Sequence, residues 1–347
     1  MISFLDSDFT QLSLYISNLK PSLLLFLVDE NTHEHCLPTI LANLETKVQF
    51  EIIEIESGEE LKNIQTATQL WEILAEFKTD RNALMLNIGG GVITDLGGFV
   101  ASTYKRGIKF INLPTTLLGM CDASIGGKTG IDLGFLKNMV GTFAHAENIF
   151  VCTNFLKTLP FSELRSGFAE MLKHGLIADE KHWQDLISIK ELSAESIAPF
   201  IKKSMEIKEN VVEIDFKEQN IRKTLNFGHT FGHAFEGLFL EQKTLIPHGE
   251  AVAMGMICET YLSYLEEFIS KEKSEEIIKQ IKRFFPYHNI SNFKDEEIIE
   301  LMKNDKKNTS GQIKFSLLER LGKGNFDIKV SQENVVKTLH FYRNYTF

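Results

Sequence analysis

Residues 83–98 read ALMLNIGGGVITDLGG, and this stretch decides the fold. Ala83 to Ile88 is an apolar run of strand length, it stops at Gly89-Gly90-Gly91, and the residues that follow open a predicted helix. An apolar run with no polar alternation is the pattern of a strand buried on both faces, which occurs in parallel sheets covered by helices. Working outward, Ser22 to Val28 runs into Asp29, and Ile108 to Leu113 runs into Pro114-Thr115-Thr116, each a second copy of the same texture. Strands of this kind alternating with helical patterns predict an α/β domain on a parallel sheet. After Pro160 the texture changes to amphipathic stretches of helical period, Phe161 to Ala178, Ala194 to Val212 and Ala251 to Phe268. The expected architecture is therefore an α/β domain over residues 1–155 and an all-α domain over residues 156–347.

Composition agrees with two folded domains and excludes several functions. The chain has 347 residues, more than one domain commonly holds, and 43% hydrophobic against 24% charged residues suffices for a full core. With Lys+Arg 37 against Asp+Glu 47 and a net charge of −10, it lacks the basic face that nucleic acid or an acidic membrane requires. The longest apolar run, Leu23 to Val28, is far too short to span a bilayer, and Asp6 and Asp8 interrupt the start before any signal-type stretch, so a cytoplasmic protein is expected. Cys36, Cys121, Cys152 and Cys258 are widely spaced and read as reduced thiols, not as a disulfide framework or a thiolate zinc site.

Three motifs carry chemistry. The glycine run before the predicted helix lets backbone N–H groups approach an anion at a helix N-terminus, which suits a pyrophosphate, although the spacing is not GxGxxG. Asp29, at a strand end, is placed to accept ribose hydroxyls or simply to form the turn. The second motif, Asp122 to Gly130, resembles a P-loop only in its ending, because the glycine that a P-loop needs at position 122 is Asp122. Its glycines leave Lys128 as a flexible cation beside Asp122, a pair suited to a hydroxylated anion. The third motif, Asn226 to His233, sets His229 and His233 at i and i+4 on one helical face, with His248 following in Pro247-His248-Gly249-Glu250. Glu170 lies amid apolar helix positions where an unpaired charge would be costly, which either metal ligation or an ordinary pairing with Lys173 three residues on would resolve. Spacing leaves both His229/His233 and His229/His248 open as its partners. Lys208, Arg222 and the Lys306-Lys307 pair are individually uninformative.

The ordered blocks GGGVITDLGGFVASTYKRG (89–107), LPTTLLGMCDASIGGKTGID (113–132), KNMVG (137–141), TLPFSELRSGFAEMLKHG (158–175), LNFGHTFGHAFE (225–236) and PHGEAVAMGM (247–256) resemble the 3-dehydroquinate synthase family. The resemblance implies a Rossmann-like NAD domain, a helical domain carrying a divalent metal (Zn2+ or Co2+), an active site between them and a homodimer. It implies Glu170, His229 and His248 as metal ligands, with His233 catalytic instead of ligating. NAD contacts would come from Asp29, Glu59, Lys62, Gly90, Gly91, Val92, Asp95, Thr115, Thr116, Lys137, Phe155 and Thr158. Asp122, Lys128, Asn138 and Lys173 would join His233 at the reacting centre. Lys208, Arg222, Asn226 and Lys306 would hold an anionic sugar phosphate, with Arg106 reaching in from a neighbouring subunit. Thr94 and Leu136 stand where the family commonly has glycine.

The implied reaction converts 3-deoxy-D-arabino-heptulosonate 7-phosphate to 3-dehydroquinate and phosphate, by transient oxidation with NAD, elimination, re-reduction and aldol closure. It belongs to the shikimate pathway. The competing readings are a sister cyclase acting on a sugar phosphate without a carboxylate, a metal- and NAD-dependent alcohol dehydrogenase, and a non-catalytic nucleotide-binding regulator. Lys208 and Arg222, as carboxylate binders, argue for the carboxylate-bearing heptulosonate phosphate over these.

Overall fold

The computed structural model describes residues 1–6, 8–134, 136–304 and 313–345. The chain divides into two compact units, Met1–Pro160 and Phe161–Phe347. The division falls at Pro160, not at 155, because Phe155 and Leu156 are buried and Phe155 packs against Phe9, with ring centroids 6.4 Å apart.

The first unit runs β1 (Ile2–Phe4), α1 (Thr10–Leu19), β2 (Leu24–Asp29), α2 (Glu30–His35), α3 (Leu37–Asn43), β3 (Phe50–Ile55), α4 (Ile64–Glu76), β4 (Leu84–Gly89), α5 (Gly91–Thr103), β5 (Lys109–Pro114), β6 (Lys128–Leu133), β7 (Leu136–Phe143) and β8 (Ile149–Val151). A six-stranded sheet has the order β1-β8-β5-β4-β2-β3, and each of its pairings is parallel. The central strands β2 and β4 are apolar and buried along nearly their whole length because both faces are covered, whereas the edge strand β3 exposes Glu51 and Glu54. Leu24, Phe26 and Val28 enter one core with Leu84, Leu86 and Ile88, while Leu25 and Leu27 enter the other with Met85, Ile93 and Leu96. The chain crosses from β3 over β2 to reach β4, so the strand order reverses direction between β2 and β4. In doubly wound sheets, ligands bind beyond the carboxyl ends of the strands at this reversal. Asp29 and Gly89 are the last residues of those two strands. The antiparallel hairpin of β6 and β7 was not expected; Lys128, read as a flexible cation after two glycines, is the first residue of β6 and pairs with Phe143.

The second unit contains α6 (Phe161–Ala178), α7 (Glu180–Ile187), α8 (Ala194–Ile214), α9 (His229–Glu241), α10 (His248–Leu265), α11 (Lys271–Lys282), α12 (Asp295–Asn304), β9 (Lys314–Arg320), β10 (Lys323–Lys329) and α13 (Gln332–Asn344). It is helical, as expected, apart from the antiparallel β9–β10 hairpin, which corrects the all-α expectation. Phe315, Leu317 and Leu318 are buried, and the Leu318 N–H donates to Ser263 Oγ on α10 at 3.0 Å, so tertiary packing holds this short apolar run extended. The helices α6 and α10 are buried along most of their length and form the unit's centre. Among the described residues no helix is long and apolar enough to cross a membrane. The four cysteines are buried and form no disulfide among the described residues.

His182 on α7 is 1% exposed, and neither ring nitrogen has a hydrogen-bond partner. Burial pushes it down from 6.5 to about 4, with the Asp179 carboxylate offsetting only part of the shift. The unfolded chain therefore takes up a proton below pH 6.5 that the folded chain resists until about pH 4, so stability declines across that window by about 3 kcal/mol. In His182→Leu the unfolding midpoint is expected to fall less than in the wild type on going from neutral pH to pH ~4.5. Equal falls in both proteins would show that another group titrates.

Candidate functional site

In the second unit, three helices each deliver one donor to a common point. Glu170 sits midway along α6, His229 is the first residue of α9 and His248 the first of α10. One ligand atom from each lies within 4.8 Å of the others. Glu170 is fully buried, its carboxylate oxygens accept no hydrogen bond, and it forms an ion pair with Lys173 one turn along the helix. Its Oε1 faces His229 Nε2 at 3.6 Å.

Both imidazoles are oriented from behind. His229 Nδ1 lies 3.2 Å from the Phe227 carbonyl, and His248 Nδ1 lies 3.1 Å from Glu236 Oε2. An acceptor at Nδ1 makes that nitrogen the protonated one and leaves Nε2 as the donor atom for a cation, the arrangement that metal-binding histidines almost always show. One carboxylate oxygen and two imidazole nitrogens form the donor set of a catalytic zinc site, which keeps further positions open. The residues present therefore fit a divalent cation. His233, one turn along α9, is exposed, with its ring 5.2 Å from that of His229 and 6.0 Å from that of His248. Spacing left His233 and His248 equally eligible; the convergence with Glu170 and His229 is made by His248.

The start of α10 is clamped to α6. The Gly249 N–H donates to Ser166 Oγ at 2.9 Å, and a Cβ on Gly249 would lie 2.1 Å from the Ser166 carbonyl oxygen. Glu250 is buried between Arg165 and His288, with His288 Nε2 2.6 Å from its Oε2. Ser166 is one turn before Glu170 and Gly249 is next to His248, so the clamp sets these two donors in register. Lys208 and Arg222 are buried. Arg222 donates through Nη1 to the Phe216 carbonyl at 2.6 Å, and Asn226 donates through Nδ2 to Glu218 at 2.8 Å.

In the first unit, Gly90 is the residue before α5, in extended backbone and without a side-chain cap, so the first N–H groups of α5 are presented at the carboxyl end of β4. Asp29 caps α2: its Oδ1 accepts from the Thr32 N–H at 2.8 Å. Thr115 donates its N–H to Gly89 O, and Thr116 Oγ1 accepts from Gly119 N–H. A second group of expected residues gathers around Lys62, which is 3% exposed. Its Nζ donates to Asn138 Oδ1 at 2.7 Å and to Asp95 Oδ2 at 3.1 Å, with Glu59 Oε1 at 3.2 Å and Asp132 Oδ1 at 4.0 Å. Burial alone would lower the Lys62 ammonium, but the Asp95, Glu59 and Asp132 carboxylates raise it instead. Burial pushes Asp95 up to about 6 in spite of Lys62. Lys128, Lys137 and Arg106 are exposed, and Arg106 takes a positive φ of 68°. The Phe155 ring belongs to the hydrophobic core, so only its backbone is available to a ligand. Thr158 Oγ1 donates to Phe155 O at 3.3 Å. Asp122 lies in the turn Gly119–Ala123 after β5. Lys306 and Lys307 lie outside the described residues.

Two family models match consecutive parts of the chain: 3-dehydroquinate synthase N-terminal over residues 52–166, and 3-dehydroquinate synthase C-terminal over residues 167–308. A 3-dehydroquinate synthase from Parabacteroides distasonis is 40% identical over 337 residues, covering 96% of this chain and 95% of that protein. The chain belongs to the 3-dehydroquinate synthase family. Two solved structures share its fold. The 2-epi-5-epi-valiolone synthase of Streptomyces hygroscopicus, with NAD+ and Zn2+ bound, aligns with a TM-score of 0.83 at 23% identity, over 99% of this chain and 96% of its own. A 2-deoxy-scyllo-inosose synthase complexed with carbaglucose-6-phosphate, NAD+ and Co2+ aligns with a TM-score of 0.82 at 21% identity, over 99% and 96%.

Within this 3-dehydroquinate synthase family member, Thr94 replaces the common glycine without disturbing α5, because its hydroxyl donates back to the Gly90 and Gly91 carbonyls. Sequence reasoning missed Glu236, Arg165, Ser166 and Glu250. The signal for Glu236 was present: with His229 and His233 it completes an i, i+4, i+7 stripe on α9. The other three act through pairing between helices, which no local spacing encodes.

Proposed function

We propose that the protein is a 3-dehydroquinate synthase that converts 3-deoxy-D-arabino-heptulosonate 7-phosphate to 3-dehydroquinate and phosphate. The supporting observation is the convergence of Glu170, His229 and His248 within 4.8 Å, in a chain whose two parts match the family's two models. When bound, NAD accepts and returns a hydride, and a divalent cation, zinc or cobalt, acidifies the alcohol being oxidised.

Glu170, His229 and His248 would hold the cation. Gly90, Gly91 and Val92 would present backbone N–H groups to the pyrophosphate, Asp29 the acceptor for a ribose, and Lys62 with Glu59 and Asp95 a rigid wall for the nucleotide; Thr115, Thr116, Lys137, Phe155 and Thr158 complete this assignment, while Asp122 and Asn138 are assigned to the reacting centre. His233, exposed beside the two ligating rings, is the group assigned to proton transfer. Lys128, Lys173, Lys208, Arg222 and Asn226 are assigned to the phosphate, carboxylate and hydroxyls, which explains how a chain of net charge −10 binds an anion: the positive charge is local.

Lys128 is exposed at the start of β6, so Lys128→Ala is expected to fold normally. A hydrogen bond to a charged group is worth roughly 1.5–3 kcal/mol, so kcat/KM is expected to fall about 10- to 100-fold. Turnover within twofold of wild type at low substrate would remove Lys128 from the site.

The deciding experiment supplies the heptulosonate phosphate, NAD and zinc, and follows phosphate, dehydroquinate and NADH together. Equal yields of the first two with no net NADH are expected. NADH accumulating with a simple polyol and no phosphate release would identify a dehydrogenase; turnover only of a sugar phosphate lacking a carboxylate would identify a sister cyclase. A homodimer working in the cytoplasm is part of the same proposal, and sedimentation of the purified protein tests the dimer.

A further inference from the structure

We propose that Glu259 is a positioning residue for the cation site: from α10, it caps the first turn of α9 and thereby sets where His229 points. This rests on the reading of Glu170, His229 and His248 as ligands. The first turn of a helix exposes N–H groups that need acceptors, ordinarily from the side chain of the residue just before it. Here that residue is Gly228, with φ 84° and no side chain to offer. Nor could it carry one, because a Cβ would lie 2.6 Å from Met256 Cγ and 2.9 Å from the Val252 carbonyl oxygen. The cap must come from elsewhere in the fold.

It comes from Glu259, which is fully buried. Its Oε2 accepts from the Gly228 N–H at 2.6 Å, and its Oε1 from the N–H groups of Thr230 at 3.1 Å and Phe231 at 3.4 Å. The residues on both sides of His229 are thus held by one carboxylate. An ionised carboxylate is expensive to bury, and these donors together with the positive end of the α9 dipole offset that cost.

Glu259 follows His248 by about three turns of α10, so both stand on the face turned to α9. On the same face Gly255 permits contact so close that a Cβ would lie 1.8 Å from the Gly228 carbonyl oxygen. This explains the glycine next to the histidine motif as a packing requirement between helices. With the helices that close, the Glu259 bonds fix α9 against rotation about and sliding along α10, and hence His229 against His248, whose ring centroids lie 5.7 Å apart. Packing alone would be served as well by an apolar side chain; a buried carboxylate adds direction.

The test is a Co2+ titration of the apo-protein, read by visible absorption, for wild type, Glu259→Gln, Glu259→Asp and a control, Leu339→Ala, which opens a core cavity on α13. Replacing groups that orient metal ligands typically costs 10- to 100-fold in affinity. Glu259→Gln turns an amide N–H toward backbone donors and is expected to lose that much; Glu259→Asp, one methylene short, should fall in between. Leu339→Ala should bind Co2+ within twofold of wild type even though its unfolding midpoint drops. At saturating cobalt the Gln variant should recover most of its kcat. Wild-type cobalt affinity in Glu259→Gln, or an equal loss in Leu339→Ala, overturns the positioning role. Should Glu259→Gln fail to fold, the Asp variant against Leu339→Ala makes the same comparison. Failure of the wild type itself to bind Co2+ overturns the ligand reading, and this proposal with it.

Discussion

Glu170→Gln is expected to lose cation binding by at least about 100-fold and to lower turnover by about three orders of magnitude. The substitution keeps the side-chain volume and removes the charge. In the native protein this carboxylate is fully buried, ion-paired with the Lys173 ammonium and within 4.8 Å of ring nitrogens of His229, His248 and the buried His174. An amide at that point offers a cation one weak oxygen and leaves Lys173, itself 1% exposed, without its counter-charge. Breaking a buried pair in this way costs roughly 3–5 kcal/mol, so the unfolding midpoint should fall as well. The discriminating measurement is the rise in midpoint that zinc produces: ligation raises it in the wild type by mass action and leaves the variant unmoved. A variant that zinc stabilises as strongly as it does the wild type would take Glu170 out of the ligand set.

Lys62→Met is the second substitution with a large expected effect, in the first unit. Lys62 is the buried cation among Glu59, Asp95 and Asp132, and its ammonium also holds Asn138 on the β6–β7 hairpin. Its removal leaves three carboxylates facing one another, a loss of roughly 3–5 kcal/mol, or a midpoint about 10 °C lower. The deficit depends on pH in a direction set by Asp95. Burial raises Asp95 to about 6 from 3.8, so its contribution to stability is fully present below about 3.8 and is lost as pH rises through 6. Without Lys62 the carboxyl rises further. The gap between variant and wild type therefore widens from pH 5 to pH 7.5, and NAD affinity falls with it. A gap of constant size across that range would mean that Lys62 is not what lets Asp95 ionise.

Much of both units was legible from residue pattern. The 3.6-residue period of Phe161 to Ala178 marks α6 to the residue, and the apolar runs ending at Asp29, Gly89 and Pro114 mark three strands of the parallel sheet. These succeeded because the signal is local: a helix face or a doubly buried strand writes its own periodicity. The hairpins were missed because theirs is not. Lys128-Thr129-Gly130 reads as a loop after two glycines, and becomes a strand only through pairing with Gly141, Thr142 and Phe143 farther along the chain. Phe315 to Leu318 is too short to separate strand from helix until it is laid against α10.

The amino-acid sequence by itself determined which chemistry is available: a glycine turn before a helix for an anion, imidazoles at helical spacing, and a carboxylate where an apolar helix would otherwise exclude one. Residue types and short spacings suffice for that. Only the tertiary structure decided which groups meet. His233 and His248 are equivalent by spacing, and the choice between them depends on how α9 crosses α10 and how α10 starts against α6. That crossing is set by contacts at Gly228, Gly249, Gly255 and Glu259 with partners many residues away, because the free energy of close packing and of buried hydrogen bonds belongs to pairs of segments, not to either segment alone.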